Sequence, residues 1–147
     1  MRHAFVIVLA VLAPAVGWAA DDVGRVKVVK GRVEIERASR PMPATVGMAL
    51  QEGDVIKTGR DGSAGVTFND DSLLSVGPDS VLAIDRFAFD STTHAGRFDT
   101  SLRQGTLSAV SGKIAKQSAD AMKVRTPATI LGVRGTEFVV RAVPVAP

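Results

Sequence analysis

From Val23 onward apolar and polar residues alternate with a period of two, and Gly, Pro, Asn or Asp breaks the alternation every 8 to 12 residues. That rhythm predicts short strands joined by tight turns rather than helices. Val26 and Val28, then Val33 and Ile35, alternate with Lys27, Arg32, Glu34 and Glu36, so each strand has one buried and one wet face. Ala38 to Val46, which carries Pro41 and Pro43, reads as a loop. Gly53 to Thr58 is a strand closed by Gly59-Arg60-Asp61-Gly62, and the next runs from Ser63 to Phe68 with Ala64, Val66 and Phe68 on one face. Asn69-Asp70-Asp71 turns the chain. Strands over Ser72 to Val76 and Val81 to Phe89 flank the turn Gly77-Pro78-Asp79. Ser91 to Gly96 is a polar loop, and strands over Arg97 to Leu102 and Thr106 to Ile114 flank Gln104-Gly105. Lys116 to Ala121 is the one stretch where a helical turn fits. The expected class is all-β, with short antiparallel strands in a β-helix-like or double-layered, jelly-roll-like stack.

The last strand pair holds the most distinctive segment, Val124 to Val140. Pro127 has no N–H for a ladder and keeps Thr126 extended, so the strand Met122 to Thr126 turns there. Gly132 and Gly135 bracket Val133 and Arg134, which marks a bend or bulge, and Phe138-Val139-Val140 resumes as a strand. The candidate structural or recognition motif is therefore Thr126, Pro127, Gly132, Arg134, Gly135 and Thr136. Arg134 has two readings: a guanidinium that ties up carbonyls at the corner, or a clamp for an anion or carboxylate.

The N-terminus departs from this pattern. Ala4 to Ala13 is continuously apolar, preceded by Arg2 and followed by Pro14 and the small-residue site Gly17-Trp18-Ala19, the three parts of a secretory signal peptide. The run is shorter than the about 20 residues that span a bilayer. Cleavage after Ala19 places small residues at both required positions, so residues 1–19 are expected to be a signal peptide and residues 20–147 one β domain. No further apolar run predicts a membrane span in the mature chain, and the expected location is the periplasm. The absence of cysteine excludes disulfides and an N-terminal lipid anchor, so the fold must rest on its core.

Charge changes the picture little. The net charge is +3 and Arg2 is the only charged side chain before residue 20. Basic residues are interleaved with acidic ones, as in Arg32, Glu34, Glu36 and Arg37, which is a mixed solvated face rather than a phosphate-tracking stripe. Tyr is absent and the single Trp lies in the leader, so a base-stacking platform is missing and nucleic acid is not an expected partner. Phe87, Phe89 and Phe98 read as core.

Candidate chemistry is sparse. His94, in the loop Ser91 to Gly96, is the only histidine after the leader, with no second His or Cys to complete a zinc set. Asp54, Asp61, Asp70, Asp71, Asp79 and Asp85 lie at turns and strand edges where carboxylates cap local N–H groups. Calcium-loop spacing is absent. Ser111-Gly112-Lys113-Ile114 lacks the frame of a phosphate loop. No catalytic residue, metal or cofactor is expected.

Gly31-Arg32-Val33-Glu34-Ile35, Gly53-Asp54-Val55-Ile56-Lys57-Thr58-Gly59, Gly62 to Phe68, Gln104-Gly105-Thr106-Leu107 and the segment from Thr126-Pro127 to Phe138 together resemble the FecR-type domain in order and spacing. The resemblance implies a periplasmic β-rich domain that takes part in signalling from a TonB-dependent outer-membrane receptor to an extracytoplasmic-function sigma factor. Regulators of that kind carry a cytoplasmic anti-sigma segment and a membrane span ahead of the domain. A cleaved leader provides neither, so the resemblance carries over here as a freestanding, non-catalytic periplasmic module for protein binding or signal sensing. The alternative is a structural or glycan-binding envelope protein.

Overall fold

The computed structural model describes residues 21–118, 120–134 and 137–144; the expected signal peptide lies outside them. Twelve strands and one short helix make up the described chain. The strands are β1 (Asp22–Lys30), β2 (Val33–Arg37), β3 (Arg40–Pro43), β4 (Ala49–Gln51), β5 (Val55–Thr58), β6 (Ser63–Phe68), β7 (Leu73–Val76), β8 (Val81–Phe89), β9 (Gly96–Val110), β10 (Met122–Arg125), β11 (Ile130–Gly132) and β12 (Glu137–Ala142), with helix α1 (Lys113–Gln117) between β9 and β10. The all-β class holds, and of the two arrangements the sequence leaves open the structure is the double-layered one.

One layer runs β4-β1-β6-β7 and the other β3-β2-β5-β8, and β9 joins them. Its first half pairs with β8 and, in parallel, with β10, while its second half pairs with β7 and β12. All other neighbouring strands are antiparallel. The inward residues of both layers form one core, including Val26, Val66, Leu74 and Leu107 from the first and Ile35, Ile56, Ile84 and Met122 from the second. Phe68 meets Phe98 and Phe87 across the gap, with ring centroids 4.5 and 5.6 Å apart. Phe87 and Phe98 are thus core, and Phe89 is half-buried.

Five local expectations are corrected. Val28, read on the buried face with Val26, is exposed, because the register of β1 against β6 shifts between the two and Val29 packs against the core instead. Gln104-Gly105 is not a turn between two strands. Gly105, at φ +94°, bends a single strand as it passes from one layer to the other, and a Cβ there would overlap the Ser80 hydroxyl. The stretch Ala38 to Val46 is not all loop, because Arg40–Pro43 forms β3 at the sheet margin, where prolines cost no ladder bond. Its hairpin turn places Ala38 and Ser39 at φ 49° and 63°, a conformation usually signalled by Asn-Gly. Ala49–Gln51, read as part of no strand, forms β4 against β1. The helix falls three residues earlier than expected because Ile114 and Ala115 plug the end of the core.

Candidate functional site

Of the six motif residues, four lie in the described chain and cluster at one end of the second layer. Thr126 closes the β10–β11 hairpin: its N–H donates to the Thr129 carbonyl at 2.8 Å, and its hydroxyl accepts from the Thr129 N–H at 3.1 Å. Pro127 is exposed in that turn, and Gly132 ends β11. The Val133 N–H donates to the Met122 carbonyl at 3.0 Å and its side chain is buried, which anchors the exit of the hairpin. Arg134 is exposed, and no hydrogen bond or ion pair joins its guanidinium to another described residue. The carbonyl ties expected of it are therefore not among the described contacts. Gly135 and Thr136 lie outside the described residues.

Beside this hairpin the outer face of the second layer forms an open depression of about 490 Å³, lined by Asp85, Arg86, Arg97, Asp99, Ser101, Lys123 and Arg125. Strand alternation produces it. Val124 and Thr100 point into the core, so Lys123 and Arg125 of β10 and Asp99 and Ser101 of β9 share the opposite face, in register Lys123 with Asp99 and Arg125 with Ser101. An irregularity in β8 between Ile84 and Arg86 brings both Asp85 and Arg86 to the same surface. Four cations thus face two carboxylates.

Among the described residues the carboxylates pair with only one of the four cations, Arg97. Asp85 accepts a hydrogen bond from the Ser101 hydroxyl. Asp99 has one oxygen 3.8 Å from Arg97 Nε and the other buried without a hydrogen-bond partner. Arg86, Lys123 and Arg125 take no part in the ion pairs among the described residues. A face of this kind is suited to attracting negative charge.

Elsewhere the polar groups are engaged structurally. Asp54, buried, receives Arg37 through two bonds of 2.9 and 2.7 Å and also accepts the Gln51 N–H at 2.9 Å, while Arg37 Nη2 donates to the Ala49 carbonyl at 3.0 Å. The Asp54 hydrogen bond raises the pKa of Arg37 above its ordinary value. This clamp joins β2, β4 and the start of β5, and the sequence reading missed it: Gly53-Asp54 signals a turn, and nothing pairs it with an arginine 17 residues earlier. Asp70, also buried, accepts the Ser72 N–H and hydroxyl, and Ser72 Oγ in turn accepts the Gly112 N–H, tying the β6–β7 turn to the end of β9. His94 is half-buried with φ 61°, its ring stacked on Phe89 at 6.1 Å. Asp90 accepts the Thr93 and Thr92 N–H groups, and these bonds hold its carboxyl below the usual range. Among the described residues no group of three His, Cys, Asp or Glu side chains could hold a metal ion.

A family model described as FecR protein matches residues 54–145. The match opens at the clamped Asp54 and takes in β5 to β12, including the hairpin and the depression, whereas the resembling segment Gly31 to Ile35 lies ahead of it. No curated protein and no solved structure is matched. With well over half of its length covered by that model, the chain belongs to the FecR family.

Proposed function

We propose that this protein is a non-catalytic binding module of the cell envelope, exported to the periplasm, that recognises a protein in a signalling-related role. Family membership and the leader-like N-terminus support the compartment and the role. The observation that carries the binding reading is the depression in which Arg86, Lys123 and Arg125 stand without carboxylate partners beside the motif hairpin. Cations gathered on one open face speed encounter with an acidic partner and set its orientation.

Cell fractionation tests the compartment: recovery of the processed chain with periplasmic markers is expected, and retention in the cytoplasm would refute it. Affinity capture from an envelope extract, comparing the wild-type protein with a Lys123→Glu/Arg125→Glu double variant, tests the face. A protein partner held by the wild type and lost by the variant is the expected result. Equal capture by both would remove the depression from the account, and retention on peptidoglycan that survives high salt, in place of a protein, would favour a glycan-binding role.

A further inference from the structure

Sheets end in strands whose outer N–H and C=O groups lack a neighbour, and proteins guard such margins. Among the described residues four strands lie at a margin, and three of these margins are guarded. In β3, Pro41 and Pro43 offer no N–H. In β4, the Ala49 carbonyl is taken by Arg37 and the Gln51 N–H by Asp54. In β12, the charges of Glu137 and Arg141 flank the exposed Val139.

The fourth margin, β11, is short but carries no proline, no charge and no side-chain cap among the described contacts. Ile130, Leu131 and Gly132 are all exposed and uncharged, and among the described residues only β10 pairs with them. The phase of that pairing identifies which groups face outward. Thr126 bonds to Thr129 and Val133 to Met122, and antiparallel bonding recurs at every second pair, so Leu131 faces Val124 in the bonded phase. The N–H and C=O groups of Ile130 and Gly132 therefore point away from β10.

The chemistry beside this edge selects an occupant. Ile130 lies opposite Arg125 and Gly132 opposite Lys123, two of the cations of the depression. A strand added to β11 runs about 5 Å from it and about 10 Å from β10. A glutamate opposite Gly132 meets no side chain between itself and Lys123. A second copy of this chain, paired edge to edge, would bring two such cation sets together and is disfavoured.

We infer that the free edge of β11 accepts an extended acidic segment of a partner protein, paired to the backbones of Ile130 and Gly132 with its carboxylates over Lys123 and Arg125. The inference rests on the protein-binding reading above and adds the mode and chemistry of the contact.

The test uses a fluorescently labelled, acetylated hexapeptide of alternating valine and glutamate, with binding followed by anisotropy and by amide shifts of the protein. Saturable binding with shifts centred on residues 130–132 is expected. Ile130→Pro removes an outward N–H without touching the β10 ladder, and should weaken binding about fivefold or more, the scale of one hydrogen bond, at unchanged melting temperature. Lys123→Gln and Arg125→Gln should weaken it and flatten its salt dependence. If Ile130→Pro does not fold, a hexapeptide N-methylated at alternate amides supplies the same test from the ligand side. Binding of that peptide as tight as the parent's would overturn strand pairing, and equal binding of a lysine-for-glutamate peptide would overturn the acidic selection. Absence of peptide binding while the envelope partner is still captured would leave the binding role standing and refute the edge as its site.

Discussion

Arg37 and Asp54 show how one residue pair can decide stability without taking part in recognition. Asp54 is withdrawn from water beside a guanidinium that spans it with two bonds. Replacing Arg37 by Met leaves that carboxylate buried and unpaired, and is expected to cost about 3 kcal/mol, read from urea unfolding. Asp90 gives the pH dependence of the loop that carries His94. Its folded pKa is depressed from 3.8 by the Thr93 and Thr92 amides, so its contribution is fully present above 3.8 and is lost as pH falls through the lower folded value. Amide shifts of Thr92 and Thr93 should move together in that acid window, and Asp90→Asn should abolish the transition. Arg134 marks the limit of the sequence at this scale. Its flanking glycines signal a bend but not the direction of the side chain, which only the packing of Val133 determines. Because Arg134 is exposed, Arg134→Ala should change stability by no more than about 0.5 kcal/mol in thermal melts.

At the scale of elements, the strands with clean alternation were legible because a period of two is written in the residues themselves: Val33 and Ile35 in β2 and Ala64, Val66 and Phe68 in β6 all face inward, whereas the irregularity that exposes Val28 in β1 has no such mark. What was not legible depends on partners distant in sequence. The β2–β3 hairpin uses Ala38 and Ser39 where Asn-Gly would have announced it, and β4 is only three residues long and exists because β1 and the Arg37–Asp54 clamp hold it. Gly105 was visible as a break, but a glycine that ends a strand and one that bends it look alike in sequence. Two substitutions separate them. Gly105→Ala adds a steric overlap with Ser80 to an unfavourable φ and should destabilise by more than about 1 kcal/mol. Gly47→Ala shares the positive φ but meets nothing within 4 Å, so it should cost less. Equal losses in denaturant titrations would show that the bend, not the contact, is limiting.

Across the whole molecule, the all-β class and the family were readable because turn chemistry and motif order are local properties that add up along the chain. The depression was not, because Arg86, Arg97, Lys123 and Arg125 become neighbours only when β10 is laid parallel to β9, a pairing with no local signature. The guarded margins carry their own prediction: a Pro41→Thr/Pro43→Thr variant restores N–H groups to β3 and should self-associate in sedimentation experiments at concentrations where the parent does not. The passage of β9 through both layers has a further consequence for how the protein breathes. Two stacked sheets joined only by loops can open one at a time, but here every inner strand on either side hangs, directly or through at most two neighbours, on the same 15-residue backbone. The amides of residues 98–102 and 107–109 should therefore exchange with solvent deuterium at one common free energy, that of complete unfolding, and the module should have no half-open state for a protease or a partner to find.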